Sequence, residues 1–385
     1  MEYISPLTLY VIWHPNSELG KQMGRKLFSS FCTNVESPFG FRLGIPVYFR
    51  SETNKNDVPE AIDYKQAERT VILCLIDEDV ILDDLFRQYV VNLYAESSGI
   101  SSLRFIPVAL TKAAFKLDAD VGKLNYIRAY EAKQEGWNFN SVFDYVYHNL
   151  LHELCKTFIE PQQAHEVKMQ PIKLFISHSK HDNTVNDAIA FRDYVNTHLQ
   201  LKTFFDSNDI GFGDDFGKTI EENAGKCVVV AFLSDSYSSR EWCRSEIIVA
   251  KKNHTPIVLI DAIAKGEQRS FPYLGNIPTI RWNGDFKMIA NLALEATLSN
   301  FYTKEALEKQ AKLFRIQHDF ILSTYPELFS IIGIKQKLFE CGKEAGVIIY
   351  PDPPLGNEEL KLLNEMDERL SFVTPLQLSS FLQYD

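Results

Sequence analysis

Cys227-Val228-Val229-Val230-Ala231-Phe232-Leu233 is an unbroken apolar run, and Ser234-Asp235-Ser236-Tyr237-Ser238-Ser239-Arg240-Glu241-Trp242-Cys243-Arg244-Ser245-Glu246 follows it directly. A short, valine-rich run of this kind reads as a strand covered on both faces. The polar stretch after it opens a helix over 241–253. Trp242 and Glu246 are four residues apart and share one helical face. Cys243, Ile247 and Ala250 form the neighbouring apolar face, which can pack on a sheet. Trp242 and Glu246 are then left to look sideways, toward the strand ends. An aromatic plane beside a carboxylate suits a flat cationic ring attached to a sugar.

The same pattern extends outward. Lys173–Ile176, Thr203–Phe205 and Pro256–Ile260 read as further strands. Val185, Ala188, Ile189, Val195 and Leu199 mark one face of a helix, which Asp182 or Asn183 could cap. Asp206 to Asp215 is a polar, glycine-bearing loop, and Phe216, Ile220 and Ala224 suggest a short helix. Alternating strands and helices predict an α/β fold: flavodoxin-like parallel sheets with helices on both faces. Such sheets bind ligands at the carboxyl ends of their strands.

Residues 1–160 repeat the order, with strands expected at Leu9–Trp13, Val47–Phe49, Val71–Ile76 and Phe105–Leu110. A constant offset sets Cys74-Leu75 against Phe232-Leu233 and Asp77 against Asp235, which suggests a duplication. The polar, Pro-led stretch 161–170 reads as a linker, and a weaker boundary is expected near Asn300. The predicted division is therefore 1–160, linker 161–170, 171–300 and 301–385. In the last segment, Leu307, Ala311 and Phe314 recur at helical spacing. Val347–Tyr350, a helix from Glu358 to about Glu368, and Leu370–Val373 form a βαβ unit that needs a partner sheet.

The composition narrows the function. The 385 residues carry 40 Lys plus Arg against 51 Asp plus Glu, a formal charge of −11. With no dense basic block, direct nucleic-acid binding is not expected. The six cysteines form no C-x-x-C pair, which fits a reducing compartment and excludes metal-finger spacing. The apolar run Leu7 to Trp13 is too short to span a membrane and lacks signal-peptide flanks, so a cytoplasmic protein is expected. His178 and His181 have no accompanying ligand cluster and read as loop or capping residues, not a metal site. Cys243, on the apolar face, reads as a structural thiol.

Taken together, three stretches of the middle segment resemble a TIR (Toll/interleukin-1 receptor) domain. They are Leu174-Phe175-Ile176-Ser177-His178-Ser179, Phe205-Asp206 before Ile210-Gly211-Phe212-Gly213-Asp214, and Ser238 through Glu246. In the enzymatic branch of that family the glutamate of Trp-Cys-x-x-Glu is catalytic, and the resemblance implies that role for Glu246. It also implies substrate contacts at Ser177, His178, Ser179, Asp206, Phe212 and Trp242, with no metal. The implied reaction cleaves the nicotinamide–ribose bond of NAD+, which is substrate and not cofactor; no cofactor is expected. Nicotinamide leaves from a cationic pyridinium, so one carboxylate suffices where ordinary glycosidases need two.

The resemblance further implies a bacterial antiphage or stress-defence effector, activated by self-association through TIR domains, with a separate sensor or activator protein as a further partner. A non-catalytic TIR scaffold, a synthase of a cyclic ADP-ribose signal, and an N-glycosidase acting on another nucleotide are the competing readings. Residues 1–160 look like a degenerate, catalytically silent TIR-like copy: the constant offset puts Gln88 at the Glu246 position. Residues 301–385 suggest docking or regulation.

Overall fold

The computed structural model describes residues 3–33, 43–55, 57–132, 138–159, 172–182, 184–199, 202–205, 220, 227–267 and 271–378. The chain divides into two compact units, Glu2–Lys168 and Met169–Asp385.

In the first unit, β1 (Ser5–Trp13), β2 (Val47–Arg50), β3 (Ala67–Ile76) and β4 (Leu103–Ala109) form an all-parallel sheet of order β2-β1-β3-β4. Every residue of β1 is buried, as expected for a central parallel strand. The helices are α1 (Glu18–Phe28), α2 (Glu78–Leu82), α3 (Asp84–Gly99) and α4 (Phe139–Ile159). Acidic and hydroxyl side chains start the first three. Ser17 accepts the Gly20 N–H at 3.1 Å, and Asp83 accepts those of Leu85 and Phe86, both at 3.0 Å.

The second unit begins with β5 (Lys173–His178), α5 (Thr184–His198), β6 (Lys202–Phe205), β7 (Cys227–Leu233), α6 (Glu241–Lys252), β8 (Ile257–Asp261), β9 (Thr279–Arg281) and α7 (Phe286–Leu313). Its sheet is also all parallel, ordered β6-β5-β7-β8-β9. The first four positions repeat the order of the other unit. The step from β6-β5 to β7-β8 reverses direction between β5 and β7, which opens a crevice above the ends of those two strands. Phe175, Val229, Ala231, Cys243, Ile247, Ala250 and Leu259 form part of the core beneath α6.

The expected boundary near Asn300 falls inside α7, which runs on to Leu313. Asp285 caps this helix, accepting the Met288 N–H at 3.0 Å. Its first half is buried almost all round, and beyond Asn300 it turns amphipathic. There Leu307 and Ala311 pack with Ile349, Val373 and Leu378. The helix changes partner without breaking.

A second small sheet follows. It contains β10 (Phe320–Ile321), β11 (Gly346–Ile349) and β12 (Leu370–Val373), parallel and in that order, with α8 (Leu328–Glu340), α9 (Asn357–Met366) and α10 (Pro375–Leu378). The βαβ unit read from sequence thus finds a partner strand in β10 of the same chain, with Phe320 opposite Ile348. The expected linker 161–170 lies outside the described residues, as does the expected helix 216–224 apart from Ile220.

Candidate functional site

The site lies where β5 and β7 end and α6 begins. Ser177 is the penultimate residue of β5, and its hydroxyl reaches two groups. It donates to Glu246 Oε2 through a short hydrogen bond, and its Oγ lies 2.7 Å from the Tyr237 hydroxyl. A serine hydroxyl has one proton. With that proton given to Glu246, the Tyr237 O–H must donate to Ser177. The three side chains therefore form a directed chain, Tyr237 to Ser177 to Glu246, ending on the carboxylate.

Burial holds this chain in place. Tyr237 is fully buried and Glu246 only 7% exposed, although it sits in a helix with charged neighbours. Burial foremost, then the Glu246 carboxylate, pushes the Tyr237 phenol well above its usual pKa, so it stays a protonated donor. Cys243, one turn before Ile247, gives its Sγ–H to the His178 carbonyl at 3.5 Å. Burial, with the Glu246 carboxylate second, pushes its thiol up to about 12. At neutral pH it is a protonated structural thiol, as its place on the apolar face predicted.

Glu246 also faces a cavity of about 270 Å³. His178, Ser179, Lys180, Arg240 and Trp242 are among its other lining residues, and Glu246 is the carboxylate among them. Trp242 is 52% exposed and forms an open aromatic wall. The Trp242–Glu246 spacing puts one residue at the rim and the other at the base, as expected from i, i+4 geometry. His181 lines the cavity as well. Among the described residues, no group of three or more His, Cys, Asp or Glu side chains is placed to hold a metal.

Asp182 and Ser236 fix the two loops that frame the opening. Asp182 accepts the Ser236 N–H at 3.2 Å and the hydroxyls of Ser236 and Thr184, while Ser236 Oγ and Ser179 Oγ lie 2.6 Å apart. Burial alone would raise the Asp182 carboxyl. The neighbouring Ser234 hydroxyl and hydrogen bonds from Ser236 and Thr184 outweigh it and hold the group below its usual range. The carboxylate read as a possible cap for α5 thus ties the loop after β5 to the loop after β7. Asn183 lies outside the described residues. Asp235 pins the next loop, accepting the N–H groups of Ala264, Lys265 and Gly266 at 2.9–3.1 Å.

Of the residues singled out from sequence, Ser177, His178, Ser179, Trp242 and Glu246 converge here. Asp206 and Phe212 lie outside the described residues. Sequence reasoning quoted Tyr237 without giving it a role, although a lone aromatic in a serine-rich stretch after a buried strand is an anchor signal. Lys180 and Arg240 were missed because single cations carry no spacing signature.

Residues 174–292 match the family model described as TIR domain. This segment is a TIR domain. No curated protein matches the chain. Among solved structures, the TIR domains of the activated Roq1 resistosome directly recognizing the pathogen effector XopQ align at 18% identity and a TM-score of 0.20. That alignment covers 23% of this chain and 58% of the other, so the chain spans little more than half of that relative. A "putative phosphosugar isomerase" from Silicibacter pomeroyi DSS-3 aligns at 10% identity and a TM-score of 0.21, covering 79% and 88%. At such TM-scores neither structure bears on the fold or the function here.

The other unit arranges the corresponding place differently from the TIR domain. Phe86, Val90 and Leu93 are the buried residues of α3, spaced as Cys243, Ile247 and Ala250 are in α6. Helix phase therefore sets Tyr89, not Gln88, at the position of Glu246. Gln88 is exposed and donates to Asn92 at 2.9 Å. The same phase sets Ile12 opposite Ser177, and both Ile12 and Tyr89 pack in the apolar core of that unit. The constant offset was one residue out of register because no side chain in α3 marks the phase as Trp-Cys-x-x-Glu does in α6.

Proposed function

We propose that the TIR domain is an NAD+ glycohydrolase with Glu246 as its catalytic carboxylate. The observation that carries the reading is a buried glutamate held by Ser177 at the base of a cavity with an exposed tryptophan wall. In the reaction the C1′–N1 bond breaks, and its electron pair leaves with nicotinamide, which discharges the pyridinium. The ribose becomes an oxocarbenium ion. The Glu246 carboxylate faces that cation and accepts hydrogen bonds from the ribose hydroxyls. Water adds to C1′ and loses a proton, giving ADP-ribose. Ser177 fixes the carboxylate so that little reorganisation is needed as charge develops.

Trp242 stacks on the departing ring, and His178 and Ser179 line the ribose. Lys180 and Arg240 are suited to the pyrophosphate. At about 270 Å³ the cavity is smaller than ordinary sites of roughly 300–1,000 Å³. It suits the nicotinamide-ribose end, with the adenylate end outside. Asp206 and Phe212 keep their proposed roles in substrate contact.

On the family resemblance, the enzyme acts as an effector in bacterial antiphage defence and is switched on by self-association, with a sensor or activator protein upstream. The unit with Ile12 and Tyr89 offers no carboxylate at the matching place and is read as catalytically silent. The test is NAD+ consumption at high protein concentration with products identified by mass. ADP-ribose supports hydrolysis, and a product lighter by one water indicates cyclisation. Cleavage of other nucleotides in place of NAD+ would redirect the reading to a different N-glycosidase. An inert protein under these conditions would favour a binding module.

A further inference from the structure

Helix α6 carries Glu246 in its middle and is tied down at its end. Lys251 lies in the last turn, roughly 7.5 Å further along the axis, and is buried. Its Nζ donates to the Glu327 carboxylate at 2.8 Å and to the Gly275 carbonyl at 3.3 Å. Glu327 is the N-cap residue of α8, and Gly275 lies in the turn before β9. One ammonium group thus joins the catalytic helix to a loop of its own domain and to a helix of the small sheet. The two helices come this close because Gly333 has no side chain: a Cβ there would stand 2.1 Å from the Lys252 carbonyl oxygen. Tyr273 and Phe329 flank the pair, edge to face at 4.7 Å.

The other end of α6 is fastened differently. Its N-cap residue, Arg240, makes no side-chain capping bond. Arg244 donates to the Ser238 carbonyl at 2.9 Å, a contact within the same short stretch of chain. Cys243, Ile247 and Ala250 pack on the core. Apolar contact is non-directional, so it holds α6 against the sheet without fixing its rotation or its slide. The buried ammonium, aimed at two oxygens outside the helix, does fix them. A buried lysine–glutamate pair is weak evidence of stability, because apolar side chains of similar size often serve as well or better. What this pair adds is direction.

We propose that Lys251 and Glu327 are positioning residues for NAD+ cleavage: their ion pair sets where α6 holds the Glu246 carboxylate against the ribose. This rests on Glu246 being the catalytic group. Neither residue lines the Glu246 cavity, so both act through the helix. A hydrogen-bonded helix passes a displacement of its last turn on to its first, and a misplacement of about 1 Å at the reacting centre costs up to about 10²-fold in rate. The small sheet is thereby part of the frame that aims the carboxylate.

The test is Lys251→Met in the full chain, read by NAD+ kinetics, thermal unfolding and amide hydrogen exchange. Methionine fills the space without the charge, and Glu327, at 28% side-chain exposure, is left in reach of water. The melting temperature is therefore expected to stay within about 2 °C of wild type or to rise. Against that, kcat is expected to fall by about 10-fold with KM within about twofold. Amides of 241–246 should exchange faster, while those of α5 keep their wild-type rates. A kcat equal to wild type overturns the proposal. So does a kcat loss that tracks a lower melting temperature, which would make Lys251 an ordinary stabilising residue. If wild type itself releases no nicotinamide, the catalytic reading fails on its own. Exchange then decides the remainder: faster exchange at 241–246 upholds the tie between the ion pair and the first turns of α6, and equal exchange overturns it.

Discussion

Ser177 links a phenol to a carboxylate with one proton, so its removal has a defined consequence. In Ser177→Ala, Glu246 and Tyr237 each lose the hydrogen bond they share with Ser177, while the cavity walls remain. NAD+ cleavage is expected to fall by about 10- to 100-fold, with a stability loss on the order of 1–3 kcal/mol from the two lost hydrogen bonds. A Ser177→Ala rate equal to wild type would show that the chain from Tyr237 does not position the carboxylate. The sequence marked Ser177 and Glu246 separately, each at the boundary of an element. It could not show that they touch, because they are 69 positions apart and only the β5–β7 register brings them together.

At the scale of elements, α6 has two jobs. Its first turns carry Trp242 and Glu246. Its last turn is clamped by the small sheet's helix: Lys251 Nζ lies 2.8 Å from Glu327 and 3.3 Å from the Gly275 carbonyl, with the lysine side chain 5% exposed. Tyr273 and Phe329 meet edge to face at 4.7 Å beside this pair. Gly333→Ala would force α8 off the Lys252 carbonyl, because no flexible side chain is there to yield. A destabilisation of about 1–3 kcal/mol is expected by chemical denaturation. An unchanged midpoint would mean that the two helices do not pack so closely. Strands β5 and β7 were legible because unbroken apolar runs leave few alternatives. Strands β9 and β10 were not, since Thr279–Arg281 and Phe320–Ile321 are too short to show a period. The boundary drawn at Asn300 marks a real change in pattern, from all-round burial to amphipathicity. Asn300 is nevertheless a buried helical residue that accepts a hydrogen bond from Ser323, so the change of partner happens inside one continuous helix.

Across the whole molecule, two parallel α/β sheets share the order of four strands, and the helix position that Glu246 holds in one carries no carboxylate in the other. The first unit repeats the framework and fills the equivalent place with Ile12 and Tyr89, where the constant sequence offset sets Gln88. No helix among the described residues is long and apolar enough to cross a membrane. Global stability has a pH signature of its own. Burial, with Lys304 and Lys337, holds His254 down to about 3 against 6.5 unfolded. As pH falls from about 6.5 toward 3, the unfolded chain takes up a proton that the folded one refuses, so this group makes stability fall through that window. His254→Asn, which tolerates the left-handed backbone, should flatten the dependence of the melting temperature on pH. An unaltered acid slope would mean that the imidazole is not shielded as described.

The central claim is that Glu246 cleaves NAD+, and the most direct measurement is NAD+ loss by the full chain at high concentration, wild type beside Glu246→Gln. Glutamine keeps the size and the Ser177 hydrogen bond but not the charge. The account predicts nicotinamide release by wild type, and a rate lower by about 10²–10³-fold or more in the variant with its fold intact. Equal rates in the two proteins would contradict it.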